Sequence, residues 1–340
     1  MKNQSIYIMA PHEVEIKETP MPVIHPGEAL LELQYGGICG SDLGTYRGTY
    51  SYAIYPNIPG HEFSAKIIEI EPNEQGLTPG MIVTGNPYFN CGSCYSCRRG
   101  LFNCCTTNQT MGCQREGAFS KYIAFPINRI YPGNGLDAKR LALVEPFCIS
   151  YHAIKRANIQ ADDTVLILGA GTIGINAMLA AKQKGATVYI SDVAPQKLEY
   201  AKQIGADGVI LNDAPENFIE KVLEITNGDL FDVTIEAVGR PDTFQACIDA
   251  ACFGGRVCLV GIANKNIDLF FTVIQKKELN IFGSRNALKH DFQEIIELFR
   301  GGEIDPLHIV TNEYRFEDAA ALFFDFDKNA NNMLKVLVRF

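Results

Sequence analysis

The chain has 340 residues, a length that suits about two domains, each with its own hydrophobic core. Its 39 acidic and 30 basic side chains give a net charge of −9, which argues against a broad surface for nucleic acid or for an anionic membrane. No apolar run approaches the ~20 residues that a membrane helix needs. We therefore expect a cytoplasmic protein that acts on a small molecule, without a nucleic-acid or membrane partner.

The first 150 residues alternate short apolar segments with proline and glycine turns. This pattern predicts a compact, β-rich body. The predicted strands are Ser5–Met9, Ala29–Tyr35, Phe63–Ile70 and Met81–Thr84.

Four residues of this body are candidate metal ligands. Cys39 and the pair His61 and Glu62 lie beside glycines, and Glu145 precedes a proline. Thiolate, imidazole and carboxylate groups together suit zinc. Taken singly, each has an ordinary alternative as a core thiol, a hydrogen-bonded histidine or a solvated carboxylate.

A cluster of cysteines lies between these candidates. Eleven cysteines is a high count, and in a reducing compartment clustered ones are more often metal ligands than disulfides. Cys91, Cys94, Cys97 and Cys105 have a spacing that can enclose one tetrahedral ion, with Cys104 facing away. Such a closed Cys₄ site leaves no open position, so we expect its zinc to fold the surrounding lobe. A redox pair is the alternative.

Residues 164–192 contain an apolar strand, a glycine-rich turn, a helix and a second apolar strand. The turn has the G-x-G-x-x-G spacing that places a pyrophosphate at a helix N-terminus. Asp192 ends the second strand, where a carboxylate can bind the ribose hydroxyls of NAD and repel the 2′-phosphate of NADP. The turn and helix start supply the candidate dinucleotide ligands Gly169, Gly171, Thr172, Ile173 and Gly174.

From Tyr151 onward helices and strands alternate, which predicts an α/β, doubly wound parallel sheet. Ligands bind such sheets at the carboxyl ends of the strands. Lys197 could reach the ribose or lie as a solvated helix residue. The strand-like run Lys335–Phe340 is expected to return to the first domain. The further candidates at the strand ends are Val260, Ile262, Ser284 and Arg285.

With these motifs in this order, the chain resembles the zinc-dependent medium-chain dehydrogenases over essentially its whole length. The resemblance implies a GroES-like, β-rich catalytic domain at 1–150 and 291–340, with a structural-zinc lobe at about 88–106. It implies a Rossmann NAD-binding domain at 151–290.

The resemblance also implies two zinc ions per chain. Cys39, His61 and Glu145 would hold the catalytic zinc, with Glu62 as a further ligand or as a partner of a ligand. The structural zinc would be held by Cys91, Cys94, Cys97 and Cys105. Glu145 is typical of the polyol, threonine and sugar-acid branch. Within that branch the chain is most similar to the bacterial L-galactonate oxidoreductases in Glu145–Phe147, Tyr151–Arg156 and Gly283–Ala287.

Four residues are candidates for substrate binding and proton transfer. Arg285 could bind a carboxylate through two parallel hydrogen bonds or could hydrogen-bond several hydroxyls. Asn286 is the next residue in the chain. Tyr46 could form a pocket wall or lie exposed in a loop. Ser41 could carry the proton outward or cap a helix. Gly44 stands where many family members carry a histidine, so no proton route through that side chain is expected.

We therefore expect an oxidoreductase that transfers a hydride from a secondary hydroxyl of a sugar acid resembling L-galactonate to NAD. The alternatives are a polyol dehydrogenase of the sorbitol or galactitol type and an L-threonine dehydrogenase. A catalytically silent zinc- and nucleotide-binding protein is the alternative from another class. We expect a homodimer or homotetramer, in which an apolar strand near Phe270–Val273 could pair across a two-fold axis.

Overall fold

A computed structural model describes residues 2–340 of the chain. The chain divides into two compact units, one of Met1–Glu145 with Leu288–Phe340 and the other of Pro146–Ala287. The sequence placed these boundaries after residues 150 and 290, five and three residues later than 145 and 287. The first boundary falls inside the helix Val144–Arg156. The change from a β-rich pattern to alternating helices and strands is visible in the sequence only from Tyr151, which is after that boundary.

The structure contains strands in both units. In chain order they are β1 (Asn3–Ala10), β2 (Glu13–Thr19), β3 (Glu28–Ile38), β4 (Glu62–Ile70), β5 (Ile82–Gly85), β6 (Tyr88–Phe89), β7 (Gln109–Thr110), β8 (Tyr122–Pro126), β9 (Ile130–Pro132), β10 (Thr164–Leu168), β11 (Thr187–Asp192), β12 (Gly208–Leu211), β13 (Phe231–Glu236), β14 (Ala251–Leu259), β15 (Asn280–Gly283), β16 (Val310–Arg315) and β17 (Lys335–Arg339).

The α-helices are α1 (Gly40–Arg47), α2 (Tyr95–Arg98), α3 (Ala138–Leu141), α4 (Val144–Arg156), α5 (Thr172–Gln183), α6 (Pro195–Gln203), α7 (Phe218–Ile225), α8 (Pro241–Ala250), α9 (Thr272–Lys276), α10 (Lys289–Arg300) and α11 (Ala319–Asn329). Short 3₁₀ turns occur at Phe102–Cys104, Ile127–Arg129, Pro215–Asn217, Pro306–Ile309 and Phe316–Asp318. Within residues 2–340, no helix combines the length and the apolar composition that crossing a bilayer requires.

A seven-stranded mixed sheet forms the body of the first unit. Its order is β16-β17-β3-β4-β5-β9, and β8 pairs with β3. The last strand, β17, lies antiparallel to β3, with Val336 opposite Ile38. Residues from the end of the sequence therefore lie beside the strand that leads directly to Cys39.

One hydrophobic cluster of the first unit contains Tyr46, which we expected either to form a pocket wall or to lie exposed in a loop. Tyr46 is only 4% exposed and packs with Leu43, Phe119 and Val336. Its ring stacks on Phe323 of α11, with 5.4 Å between the ring centroids. The structure thus places Tyr46 in the core, because the face of α1 that carries it packs against α11.

The second unit is built on a six-stranded, all-parallel sheet with the order β12-β11-β10-β13-β14-β15. Strand β10 lies inside the sheet, and its residues Val165–Ile167 are fully buried. Strands covered on both faces are expected to be continuously apolar, as this one is. The predicted doubly wound parallel sheet is therefore confirmed.

Candidate zinc centres and dinucleotide site

The structure brings Cys39, His61 and Glu62 together at one end of the mixed sheet. Cys39 follows β3 and is the N-cap of α1, while His61 immediately precedes β4, which begins at Glu62. One ligand atom from each residue lies within 4.8 Å of the others. His61 Nδ1 is buried without a hydrogen-bond partner. An orphaned imidazole nitrogen beside a thiol and a carboxylate fits a zinc ion.

Asp42 fixes the backbone of both loops that carry these ligands. Its buried carboxylate accepts hydrogen bonds from Cys39 N at 2.9 Å and from Gly60 N at 3.1 Å. Burial raises the pKa of Asp42, although His61 and the two backbone donors oppose that rise. The cap of α1 is thus made by Asp42 and not by Ser41. An acid three residues after the N-cap is the sequence signal that could have identified it.

Lys335 of β17 forms a buried ion pair with Glu62. Its Nζ lies 2.7 Å and 2.6 Å from the two carboxylate oxygens and 3.1 Å from Ile38 O. Burial opposes the charge on Lys335, but Glu62 and Cys39 outweigh it, so its pKa rises above the ordinary value. Gly37 makes room for this arrangement, because a Cβ there would lie 2.1 Å from Glu62 Oε2. The sequence analysis missed Lys335.

Glu145 lies outside the group of three ligand atoms found among the described residues. It lies in the first turn of α4 and is 2% exposed. The hydroxyl of Tyr88 donates a hydrogen bond to Glu145 Oε1. Burial raises the pKa of Glu145 to about 7, although His61 opposes that rise. Glu145, the fourth predicted ligand, is therefore held by Tyr88, which no sequence motif indicated.

The thiols of Cys91, Cys94, Cys97 and Cys105 all lie within 4.8 Å of one another, and Cys104 is outside this group. Each of the four is free of a disulfide. Backbone N–H groups lower the pKa of Cys91 to about 5 and that of Cys94 to about 7, whereas burial raises that of Cys97 to about 11. Four converging sulfurs, two of them already favoured as thiolates, fit one closed tetrahedral zinc.

The glycine-rich turn after β10 has the shape that a pyrophosphate requires. Gly169 adopts φ +104°, and a Cβ at Gly174 would lie 1.7 Å from Gly169 O. At Gly171, by contrast, a Cβ would meet no atom within 4 Å. Gly171 is also the N-cap of α5, without a side-chain cap, so the N–H groups of Thr172 and Ile173 begin the helix. These donors and this open space fit a dinucleotide phosphate.

Asp192 is fixed at the end of β11, next to this turn. Its carboxylate accepts hydrogen bonds from Ala170 N at 2.7 Å and from Ala194 N at 2.9 Å. Each oxygen retains acceptor capacity for a ribose hydroxyl. Lys197 lies half-buried in α6, five residues beyond Asp192.

The carboxyl ends of β14 and β15 carry the remaining candidates of this unit. Ser284 Oγ and Asn286 Nδ2 are buried without hydrogen-bond partners, which fits a polar ligand beside them. Arg285 between them is exposed, and Ile262 after β14 is 82% exposed. Val260 is fixed by a hydrogen bond from its N–H to Glu236 O.

Comparison with known proteins agrees with this geometry. The family model for the alcohol dehydrogenase GroES-like domain matches residues 25–134, and the model for zinc-binding dehydrogenase matches residues 172–301. L-galactonate-5-dehydrogenase of Escherichia coli (strain K12) is 31% identical, with 97% of this chain and 97% of that protein covered. Sorbitol dehydrogenase of Bacillus subtilis (strain 168) is 32% identical, with 96% and 94% covered.

A solved structure has the same fold over the whole chain. The short chain alcohol dehydrogenase RspB of Escherichia coli CFT073, complexed with the cofactor NADH, matches with a TM-score of 0.93 at 29% identity, covering 100% of this chain and 99% of that one. The expected GroES-like and Rossmann architecture is thereby confirmed. With both models and nearly full-length relatives in agreement, the chain belongs to the zinc-type medium-chain alcohol dehydrogenases and is a zinc-dependent oxidoreductase that acts on CH–OH groups.

Proposed function

We propose that the chain oxidises a secondary hydroxyl of a sugar acid resembling L-galactonate, with NAD as the hydride acceptor. The observation that carries this proposal is Arg285, an exposed residue just beyond β15 and next to Asn286, whose Nδ2 is buried without a hydrogen-bond partner. A guanidinium can bind a carboxylate through two parallel hydrogen bonds. The similarity to L-galactonate-5-dehydrogenase supports the same substrate class.

The candidate residues of the first unit have separate roles in the proposed reaction. Cys39, His61 and Glu62 hold the catalytic zinc, which supplies Lewis acidity toward the substrate hydroxyl when bound. Ser41 carries the released proton outward through its hydroxyl. The four thiols of the Cys₄ lobe hold the second zinc, which stabilises the fold of that lobe. Glu145 is buried in the same unit and accepts a hydrogen bond from Tyr88.

The dinucleotide binds the second unit, with its pyrophosphate at the turn between Gly169 and Gly174. The carboxylate of Asp192 favours NAD, because it can accept hydrogen bonds from both ribose hydroxyls and repels a 2′-phosphate. The NADH complex of the similar RspB structure supports a nicotinamide dinucleotide as the cofactor. Lys197, Val260, Ile262 and Ser284 complete the proposed cofactor site.

The second unit also supports self-association. Strand β15 ends the parallel sheet, so its outer edge offers unpaired backbone groups within the described part of the chain. The expected strand near Phe270–Val273 is wrong, because helix α9 begins at Thr272. Phe270 and Phe271, which precede that helix, are 80% and 74% exposed. We infer that a second copy pairs with this edge in a homodimer or homotetramer. The eleven cysteines form no disulfide within residues 2–340, which supports a reducing, cytoplasmic setting.

Substrate choice is tested by initial rates of NAD reduction with the zinc-loaded chain. The panel is L-galactonate, other aldonates, galactitol, sorbitol and L-threonine. We expect the best aldonate to exceed its uncharged polyol by about 100-fold or more in kcat/KM, because only the aldonate pairs with Arg285. Arg285→Met should remove most of this preference and leave the polyol rate nearly unchanged. A preference for polyols or threonine would contradict the sugar-acid proposal, and inactivity throughout would favour the catalytically silent alternative.

Dinucleotide binding is tested with Gly171→Ala. The added methyl group meets no protein atom, so the fold should persist, but it occupies the space through which the pyrophosphate approaches the backbone. We expect the Kd for NADH, measured by fluorescence titration, to rise at least about tenfold while the midpoint of thermal unfolding is retained. Wild-type affinity would show that the phosphates bind elsewhere.

The role of Ser41 is tested with Ser41→Ala. Because Asp42 makes the cap of α1, this change should leave the helix and the zinc content intact. We expect kcat to fall about 100-fold, since the hydroxyl no longer relays the proton. A zinc assay on the same sample is the control, and wild-type turnover would remove Ser41 from the proton route.

The oligomeric state is tested by sedimentation equilibrium of the wild type and of Phe271→Glu. A charge at the centre of the exposed apolar run should weaken a hydrophobic interface, so the variant should dissociate at concentrations where the wild type is a dimer or tetramer. A monomeric wild type would contradict the inference.

A further inference from the structure

We propose that Tyr88 is a positioning residue that holds Glu145 away from the catalytic metal, so that the donor set of Cys39, His61 and Glu62 keeps an open position. The inference rests on the proposed function in one respect, since it takes this donor set as the catalytic centre. It assigns a task to a residue that no sequence motif indicated.

The contact between Tyr88 and Glu145 is buried and specific. The two residues are 57 positions apart in the sequence, and both are at most 6% exposed. The phenolic hydroxyl donates to one oxygen of the carboxylate. In surroundings with few competing waters such a bond is stronger than in water, and a carboxylate that accepts it loses freedom to swing.

Tyr88 itself is anchored to the Cys₄ lobe. It lies in the two-residue strand β6, which pairs with β7. The guanidinium of Arg129 donates to Tyr88 O and to Asn90 Oδ1, the latter at 2.9 Å. The amide of Asn90 in turn lies 3.8 Å from Cys97 Sγ. The backbone of Tyr88 is therefore tied to one of the lobe's thiols through two polar side chains.

The neighbouring residue stiffens this anchor. The ring of Phe89 has Arg115 Cζ 3.6 Å and Arg129 Cζ 4.5 Å from its centroid. Cation–π contacts with two guanidinium groups restrain the ring and hence the short strand that carries Tyr88. The hydroxyl of Tyr88 thus has a position set by the lobe and not by the carboxylate that it binds.

The consequence concerns the number of protein ligands. Structural zinc sites are closed by four protein ligands, whereas catalytic sites use three and leave a position for substrate. Glu145 is a buried carboxylate of the same unit, and as a fourth donor it would close the site. Its hydrogen bond to Tyr88 opposes that closure.

The test compares Tyr88→Phe with Tyr122→Phe in the full chain. Tyr122 also donates its hydroxyl to a glutamate, Glu32, at 3.0 Å, so the control removes the same kind of bond in the same unit. Cobalt(II) is placed in the catalytic site, and its visible absorption spectrum and its release to a chelator are recorded. In Tyr88→Phe we expect a changed ligand-field spectrum, slower metal release and a kcat lowered about 10–100-fold. The control should match the wild type in all three.

Two further variants complete the test. In the double variant Tyr88→Phe with Glu145→Gln, the weaker amide ligand should restore the wild-type cobalt spectrum. Glu145→Gln alone should leave that spectrum unchanged, because Glu145 is not a ligand while Tyr88 holds it. A changed spectrum in this single variant, or a wild-type spectrum and release rate in Tyr88→Phe, would overturn the inference. The cobalt spectrum needs no sugar acid, so failure of the substrate proposal remains distinguishable.

Discussion

The ion pair between Lys335 and Glu62 is the constraint on which the metal-binding end of the first unit depends. Taking two charges out of water is unfavourable by several kcal/mol per ion, and attraction offsets this only when the geometry is good. Here one ammonium lies within 2.7 Å of both carboxylate oxygens, and the side chains are 3% and 2% exposed. Losing one partner would leave the other charge buried and alone, which typically costs about 3–5 kcal/mol. The pair therefore ties β17 firmly to the start of β4.

Around this pair, the polar groups have separate tasks. Asp42 holds the two ligand loops by their backbones, Lys335 orients Glu62, and Tyr88 holds Glu145. Each of these three carboxylates thus has its own buried hydrogen-bond or ion-pair partner. The separate partners hold the three groups of like charge apart. His61 Nδ1, by contrast, is buried without a hydrogen-bond partner and is available to a metal.

How much of this could be predicted from sequence follows from the range of the interactions. The glycine turn and the four clustered cysteines are local patterns whose spacing fixes their geometry, so they could be identified directly. Lys335 and Glu62 are 273 positions apart, and only the strand pairing brings them together. The contact between Tyr88 and Glu145 could not be predicted either, because a single tyrosine in a sequence does not indicate which distant side chain its hydroxyl will contact. Tyr46 could not be placed, since an eight-residue helix of mixed polarity does not reveal which face packs inward.

The return of β17 to the first sheet has a consequence for the order in which the protein forms during synthesis. Residues 146–287 are contiguous and can collapse into their own unit as soon as they have left the ribosome. Strand β17 follows the second unit along the chain, so Glu62 remains without its counter-charge until residues 146–287 have been synthesised. The metal-binding loops precede the second unit in the chain, yet their final geometry depends on a lysine that is synthesised after it.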